Sequence, residues 1–192
     1  MEDIKTVIET MNFPVREQLS FSFGDIEQCK DLFIDIFSEV DKTASKIYWL
    51  PEYIKVIEWM VDTQGKGLAL FGSIGRGKTV INSFIIPILF YRRYGKILRP
   101  RIAQGLTREN LSQCKWAYII DDIGTEEIVN EYGTKTDMVS YAINNAEHYL
   151  KPLFLTSNLT KDELIQRYGL RTFDRINRLC KIIVFKGKSL RQ

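Results

Sequence analysis

The stretch Gly72-Ser73-Ile74-Gly75-Arg76-Gly77-Lys78-Thr79 decides the fold. It fits the pattern G-x-x-x-x-G-K-[ST], follows the apolar run Leu68-Ala69-Leu70-Phe71, and opens a helical pattern at Lys78. Strand, glycine loop and helix form the context in which this pattern cradles phosphates. Glycines let backbone N–H groups turn inward around phosphate oxygens, and the helix N-terminus adds a favourable dipole. Lys78 suits the β- and γ-phosphates of a nucleotide, and the Thr79 hydroxyl suits Mg²⁺. The eight residues therefore predict a nucleotide site.

Working outward, Trp116-Ala117-Tyr118-Ile119-Ile120-Asp121-Asp122 is the second informative stretch. Apolar residues running into two carboxylates describe a buried parallel strand that ends at a polar rim. Ligands of open α/β sheets bind at the carboxyl ends of strands, so these aspartates are expected to face the glycine loop. In that Walker B arrangement Asp121 holds Mg²⁺ through water, and Asp122 orients or activates the attacking water. Further on, Pro152-Leu153-Phe154-Leu155-Thr156 reads as another buried strand, with Ser157-Asn158 at its carboxyl end. Ile182-Ile183-Val184-Phe185 reads as the last strand, and residues 97–104 as a weak one, with Arg99-Pro100-Arg101 pointing to a sheet edge. Strands near 68, 98, 117, 153 and 182 separated by helical patterns predict a parallel sheet covered on both faces.

The helical patterns fill the rest. Ile4, Val7, Ile8 and Met11 share a face that ends at Phe13-Pro14. Ile26, Cys29, Leu32, Phe33, Ile36, Phe37 and Val40 follow helical spacing behind the N-cap candidate Asp25, a stripe that suits core packing or a partner. A third helix begins at Pro51, with Ile54, Ile57, Met60 and Val61 facing inward. Lys78 to Tyr94 reads as a helix in which Pro87 removes a donor and kinks it or shifts its register. Thr107 caps a short helix to about Gln113. Thr125 to Tyr132 reads as loop, and Lys135 to Leu150 as a helix with Met138, Ala142, Ala146 and Tyr149 on one side. Thr160 caps a helix that Gly169 ends, and one more helix spans Arg171 to Leu179. Residues 1–45 form an N-terminal helical extension and 46–192 the domain that carries the glycine loop.

Composition narrows the class. The chain has 192 residues, 45% hydrophobic and 27% charged, which is ordinary globular material. No apolar run approaches a membrane span, and Met1-Glu2-Asp3 does not start a signal peptide. Cys29, Cys114 and Cys180 are odd in number and far apart, which suits a reducing cytoplasm better than disulfides or zinc. Net charge is only +3, but Arg92, Arg93, Lys96, Arg99, Arg101 and Arg108 crowd one segment, and Arg171, Arg175, Arg178, Lys181, Lys186, Lys188 and Arg191 the tail. Such clusters suit nucleic-acid phosphates or solvated helix faces.

The ordered set now in hand resembles the AAA+ ATPases of the DnaC and DnaI helicase-loader group, with IstB transposition helpers as relatives. It comprises the glycine loop, Tyr118-Ile119-Ile120-Asp121-Asp122-Ile123-Gly124, Phe154-Leu155-Thr156-Ser157-Asn158-Leu159-Thr160, Tyr168-Gly169-Leu170-Arg171-Thr172-Phe173-Asp174-Arg175-Ile176 and Gly187-Lys188-Ser189-Leu190-Arg191. The resemblance runs from about residue 45 to the C-terminus. It implies a five-stranded parallel P-loop NTPase core (AAA+, ASCE) with no separate lid domain. It implies that Asn158 is sensor I, that Arg175 is an arginine finger offered to a neighbouring subunit's nucleotide (Arg171 second), and that Arg191 is sensor II. Read locally, Asn158 also suits a cap near Thr160, and Arg175 a local ion pair.

The implied function is an ATP- and Mg²⁺-dependent replication accessory protein. It would assemble as a homo-oligomer when ATP-bound and load or remodel a replicative helicase on single-stranded DNA. The alternative is a transposition helper that assembles on duplex DNA and recruits a transposase. Asp122 stands where other AAA+ proteins carry glutamate, which implies slow hydrolysis without assembly. Only a short segment separates Ala103 from Trp116, so the basic stretch Arg92–Arg108 would replace the longer element with which the family grips DNA.

Overall fold

The computed structural model describes residues 3–11, 19–42, 49–126, 129–131 and 134–190. Its centre is a parallel sheet of five strands in the order β2-β3-β6-β1-β7. They are β1 (Gly67–Gly72), β2 (Pro100–Ile102), β3 (Tyr118–Asp121), β6 (Leu153–Ser157) and β7 (Cys180–Phe185). Each pairs in parallel with its neighbours, as the apolar runs require, and the proline-bearing β2 lies at an edge. A second, antiparallel pair joins β4 (Val129–Glu131) to β5 (Thr134–Thr136).

Side chains alternate across the pleat and build two cores. Leu68, Leu70, Ile119, Phe154, Ile183 and Phe185 point to one side. There they meet α2 (Ile26–Val40), α3 (Pro51–Val61) and α5 (Ile86–Tyr94). Ala69, Phe71, Tyr118, Ile120, Leu153 and Leu155 point to the other, under α6 (Arg108–Ser112), α7 (Met138–His148), α8 (Lys161–Tyr168) and α9 (Leu170–Leu179). Phe154 is fully buried between Trp59 and Phe90, whose rings meet it edge-on at 5.9 and 5.8 Å. Truncating such a ring costs about 3–5 kcal/mol.

The helix α1 (Ile4–Thr10) leaves Ile4, Val7 and Met11 exposed, and Phe13-Pro14 lies outside the described residues. The stripe on α2 is core: Cys29, Phe33, Ile36 and Phe37 are buried, while Ile26 turns outward. Asp25 caps it through a reciprocal pair with Gln28. On α3 the inward face is Tyr53, Val56, Ile57 and Met60, not Ile54, which is half exposed.

The helix after the glycine loop starts as α4 (Lys78–Val80), passes through a π turn (Ile81–Ile85) and continues as α5. Within the π turn the Ile86 amide donates to Ile81 O, five residues back. The extra residue absorbs Pro87 and moves the buried face to Ile81, Ile85, Ile86, Leu89 and Phe90, leaving Phe84 exposed.

Two expectations need correction. The segment expected as loop and helix start forms β4 and β5 instead, and α7 begins only at Met138, capped by Asp137. The inward face of α7 is Val139, Ala142, Ile143 and Ala146, while Tyr149 is exposed. Thr107 and Thr160 cap α6 and α8 as expected, each through a capping box. Among the described residues no helix is long and apolar enough to cross a membrane.

Candidate nucleotide site

Parallel register sets the ends of β1, β3 and β6 at one level. Phe71 is opposite Ser157 and Ile120 opposite Leu155, so Gly72, Asp121 and Asn158 emerge side by side. The chain turns at Gly72, Gly75 and Gly77 with φ of 109°, 71° and 79°. That backbone region is strained for residues with a Cβ. At Gly77 a Cβ would also lie 2.6 Å from the Tyr53 hydroxyl, so this position admits only glycine. Gly77 offers no side-chain cap to the helix that follows, which leaves first-turn amides for an anion.

The buried Lys78 crosses the mouth of this loop. Its Nζ donates to Gly72 O and Ser73 O, both at 2.7 Å, and to Asn158 Oδ1 at 2.9 Å. Asn158 in turn donates through Nδ2 to Asp122 Oδ1 at 2.9 Å. A continuous polar chain thus links the glycine loop, the end of β6 and the end of β3. Asp122 takes φ of 59°, a left-handed turn that directs it off the strand end. Burial raises its pKa above the ordinary carboxylate value, the Asp121 charge adds to that, and the Lys78 ammonium opposes it.

Behind these groups Thr156 fastens β3 to β6. Its hydroxyl donates to Asp121 Oδ1 at 2.7 Å and accepts from the Asp122 amide at 2.7 Å. The Ser157 hydroxyl donates to Ile123 O at 2.7 Å. Asp121 is buried, whereas Thr79 is exposed on the first turn of the helix.

These donors fit Mg²⁺. The set is hard oxygen only (the Thr79 hydroxyl and the Asp121 carboxylate), and Mg²⁺ keeps most of its waters, so one or two protein ligands suffice. Among the described residues no cluster of three or more His, Cys, Asp or Glu forms a cage for a different metal.

No family model and no curated protein matches the sequence. Among solved structures, the DnaC helicase loader superposes with a TM-score of 0.57 at 18% identity, covering 74% of this chain and 95% of that one. DnaI superposes at 0.55 and 21% identity, covering 74% and 89%. This chain has the DnaC and DnaI fold. It is an α/β architecture with an all-parallel five-stranded sheet.

Within this DnaC-like fold the remaining candidates lie apart from the polar chain. Arg175 donates from Nε to Glu147 Oε2 at 2.7 Å, and Arg178 pairs with the other oxygen of Glu147 at 2.6 Å. The two arginines line a cleft of about 610 Å³ with Asn144, Asn145, Glu147 and His148. The local ion pair foreseen for Arg175 is therefore present, on the α7–α9 face. Arg171 is exposed on the first turn of α9. Arg191 lies outside the described residues; its neighbour Leu190 donates its amide to Gly75 O at 2.9 Å.

Some site residues carry no sequence signal. Glu126 is buried just past the two aspartates, where its carboxylate accepts from the Gly124 amide at 2.8 Å, from Arg167 and from the Tyr168 hydroxyl. Arg167 also donates to the Glu126 carbonyl. Arg76 and Glu52, both buried, form an ion pair at 3.6 Å behind the glycine loop. A motif scan catches Arg76 only as a variable position, and Glu52 not at all.

Proposed function

We propose that this protein binds ATP with Mg²⁺ in the Gly72–Thr79 loop and hydrolyses it slowly until copies assemble. In the cytoplasm it uses the ATP state to load or remodel a replicative helicase on single-stranded DNA. The observation that carries this reading is the chain Lys78–Asn158–Asp122. It joins a phosphate-neutralising ammonium, an amide and a carboxylate at the carboxyl end of a parallel sheet.

In this reading residues 46–192 are the ATPase domain, and 1–45 an extension whose α2 packs on it. The loop amides and Lys78 orient the phosphates, and Thr79 and Asp121 hold Mg²⁺. When bound, the metal supplies charge neutralisation across the phosphates. Asp122 accepts a proton from, or orients, a water that Asn158 positions. Arg175 leaves Glu147 to reach a neighbour's nucleotide, and Arg191 serves phosphate in its own subunit. A trans arginine makes hydrolysis depend on assembly, because a loose phosphoryl-transfer transition state gains most from positioned cations.

A basic and aromatic surface at the opposite end of the sheet supports the DNA part. Lys96 Nζ lies 3.5 Å from the Trp116 ring centroid, and Lys151, bonded to Cys114 O at 2.9 Å, lies 5.8 Å from the Tyr149 ring. Trp116 and Tyr149 are 52% and 62% exposed. Burial raises the Cys114 thiol pKa, and the Arg101, Lys151 and Arg99 charges oppose it. Among the described residues no ion pair ties Lys96, Arg99, Arg101 or Lys151 to a carboxylate. Cations for phosphates and open rings for bases are what single strands need.

The test has two arms. Phosphate release per monomer should rise with protein concentration, and Arg175→Ala should abolish that rise while ATP still binds. Turnover independent of both would remove the trans-arginine role. A pull-down from native extract with ATP should recover a hexameric helicase; recovery of a transposase instead would favour the transposition-helper reading.

A further inference from the structure

The glycine loop is held from outside by a charge pair that phosphate binding does not explain. Arg76 and Glu52 are 8% and 7% exposed. Desolvating two charges is costly, so a buried pair must be engaged by its surroundings. Here the surroundings are the segment after β7. Glu52 Oε1 accepts the Lys186 amide at 2.9 Å, and Arg76 Nη1 donates to Lys188 O at 3.2 Å. The Leu190 amide reaches Gly75 O at 2.9 Å. On the other side the Tyr53 hydroxyl donates to Arg76 O at 3.2 Å. Gly187, with φ of 111°, passes so close that a Cβ would lie 3.1 Å from Arg76 Nη1.

Residues 186–190 therefore rest on the same loop that surrounds the candidate phosphate position. Two amides and one carbonyl of this segment are tied to Glu52, Gly75 or Arg76, and Leu190 packs against the core. We propose that the Glu52–Arg76 pair couples this tail to nucleotide binding, with Glu52 and Arg76 as positioning residues. A seated tail holds the loop in its phosphate-ready turn, and bound nucleotide holds the tail down. The coupling rests on the nucleotide-site reading above. Because it is a linkage, the factor by which the seated tail tightens nucleotide binding equals the factor by which nucleotide stabilises the seated tail.

The test uses the full chain and two variants that leave Lys78, Asp121, Asp122, Asn158 and Arg191 in place. Glu52→Gln removes the charge at nearly unchanged shape. Gly187→Ala crowds the Arg76 guanidinium from the tail side while leaving both charges in place. Two quantities are read: ATP–Mg²⁺ affinity by titration, and amide exchange of the C-terminal peptide 186–192 with and without ATP, with thermal melting as the folding control. In the unaltered chain ATP should slow exchange of that peptide by about tenfold, within the usual range of coupling between sites. Both folded variants should weaken ATP binding by a similar factor and lose most of the ATP-dependent slowing. If the unaltered chain binds ATP but the tail exchanges equally fast with and without it, the coupling is wrong and the nucleotide site stands. Folded variants that bind ATP with unchanged affinity overturn it equally. If the unaltered chain binds no ATP, both readings fall.

Discussion

Replacing Asn158 with alanine separates binding from turnover. Asn158 accepts from Lys78 Nζ and donates to Asp122 Oδ1, each at 2.9 Å, so one substitution cuts two hydrogen bonds to charged groups. A hydrogen bond to a charged group is worth about 1.5–3 kcal/mol when buried. Asn158 is exposed, so solvent reduces each to about 0.5–1 kcal/mol. The sum, about 1–2 kcal/mol, is a fall in turnover of about 5–30-fold at 1.36 kcal/mol per decade. Lys78 keeps its two loop carbonyls, so ATP affinity should change by less than about threefold, a few tenths of a kcal/mol by analogy with other exposed polar contacts. Steady-state phosphate release at saturating ATP gives the first number, and equilibrium titration with a fluorescent ATP analogue gives the second. Turnover equal to the unaltered protein's would refute the polar chain as catalytic machinery, and collapse of binding alone would make Asn158 a nucleotide anchor.

Three other outcomes follow from the same geometry. Burial, with the Asp121 charge, raises the Asp122 pKa, and its carboxylate form is the active one. Turnover should therefore fall on acidification at a pH above the ordinary 3.8, and Asp122→Asn should erase that limb of the pH–turnover profile. The sign for stability is opposite: a raised carboxyl pKa favours folding below its unfolded value, and that contribution fades as pH climbs through the folded one. Glu126→Ala removes the carboxylate that Arg167, the Tyr168 hydroxyl and the Gly124 amide share, costing about 3 kcal/mol, or about 6–12 °C in calorimetric Tm. Trp116→Ala should weaken binding of an oligothymidine by about 1–3 kcal/mol with little change in ATP affinity, read by fluorescence anisotropy; unchanged affinity would move the DNA surface elsewhere.

The parts of the fold that were legible in the sequence are those where one local force dominates. The run into Asp121-Asp122 is buried on both faces and could only be a central strand. Asp25, Thr107 and Thr160 satisfy first-turn amides, and each marks a helix start to the residue. The edge position of β2 followed from Pro100, although the paired segment is only Pro100–Ile102. Pro87 announced a disturbance but not its form, because a kink and a π turn both free the lost hydrogen bond. Apolarity alone places Ile54 and Tyr149 inward, whereas the backbone of α3 and of the α7 C-cap turns them to solvent. The sequences of β4 and β5 are mostly polar and lack strand alternation, so nothing local marks them as strands; pairing with each other supplies the order.

Much of the candidate site was legible for a different reason. The glycines, Lys78, the two aspartates and Asn158 occur at spacings that parallel register converts into adjacency. Their supports were not. Glu52 lies twenty residues before the loop in an otherwise ordinary amphipathic helix, and its pairing with Arg76 arises only when α3 packs beside β7. Glu126 with Arg167, like Arg175 with Glu147, joins residues far apart in sequence with no spacing rule between them.

The central claim is that Gly72–Thr79 is an ATP site completed by Lys78. Isothermal titration of ATP into the full chain with Mg²⁺ tests it most directly, alongside Lys78→Ala at matched folding. The account predicts one saturable site per chain in the unaltered protein and no measurable heat of binding for Lys78→Ala. Absence of binding in the unaltered protein, or equal affinity in the variant, would contradict it.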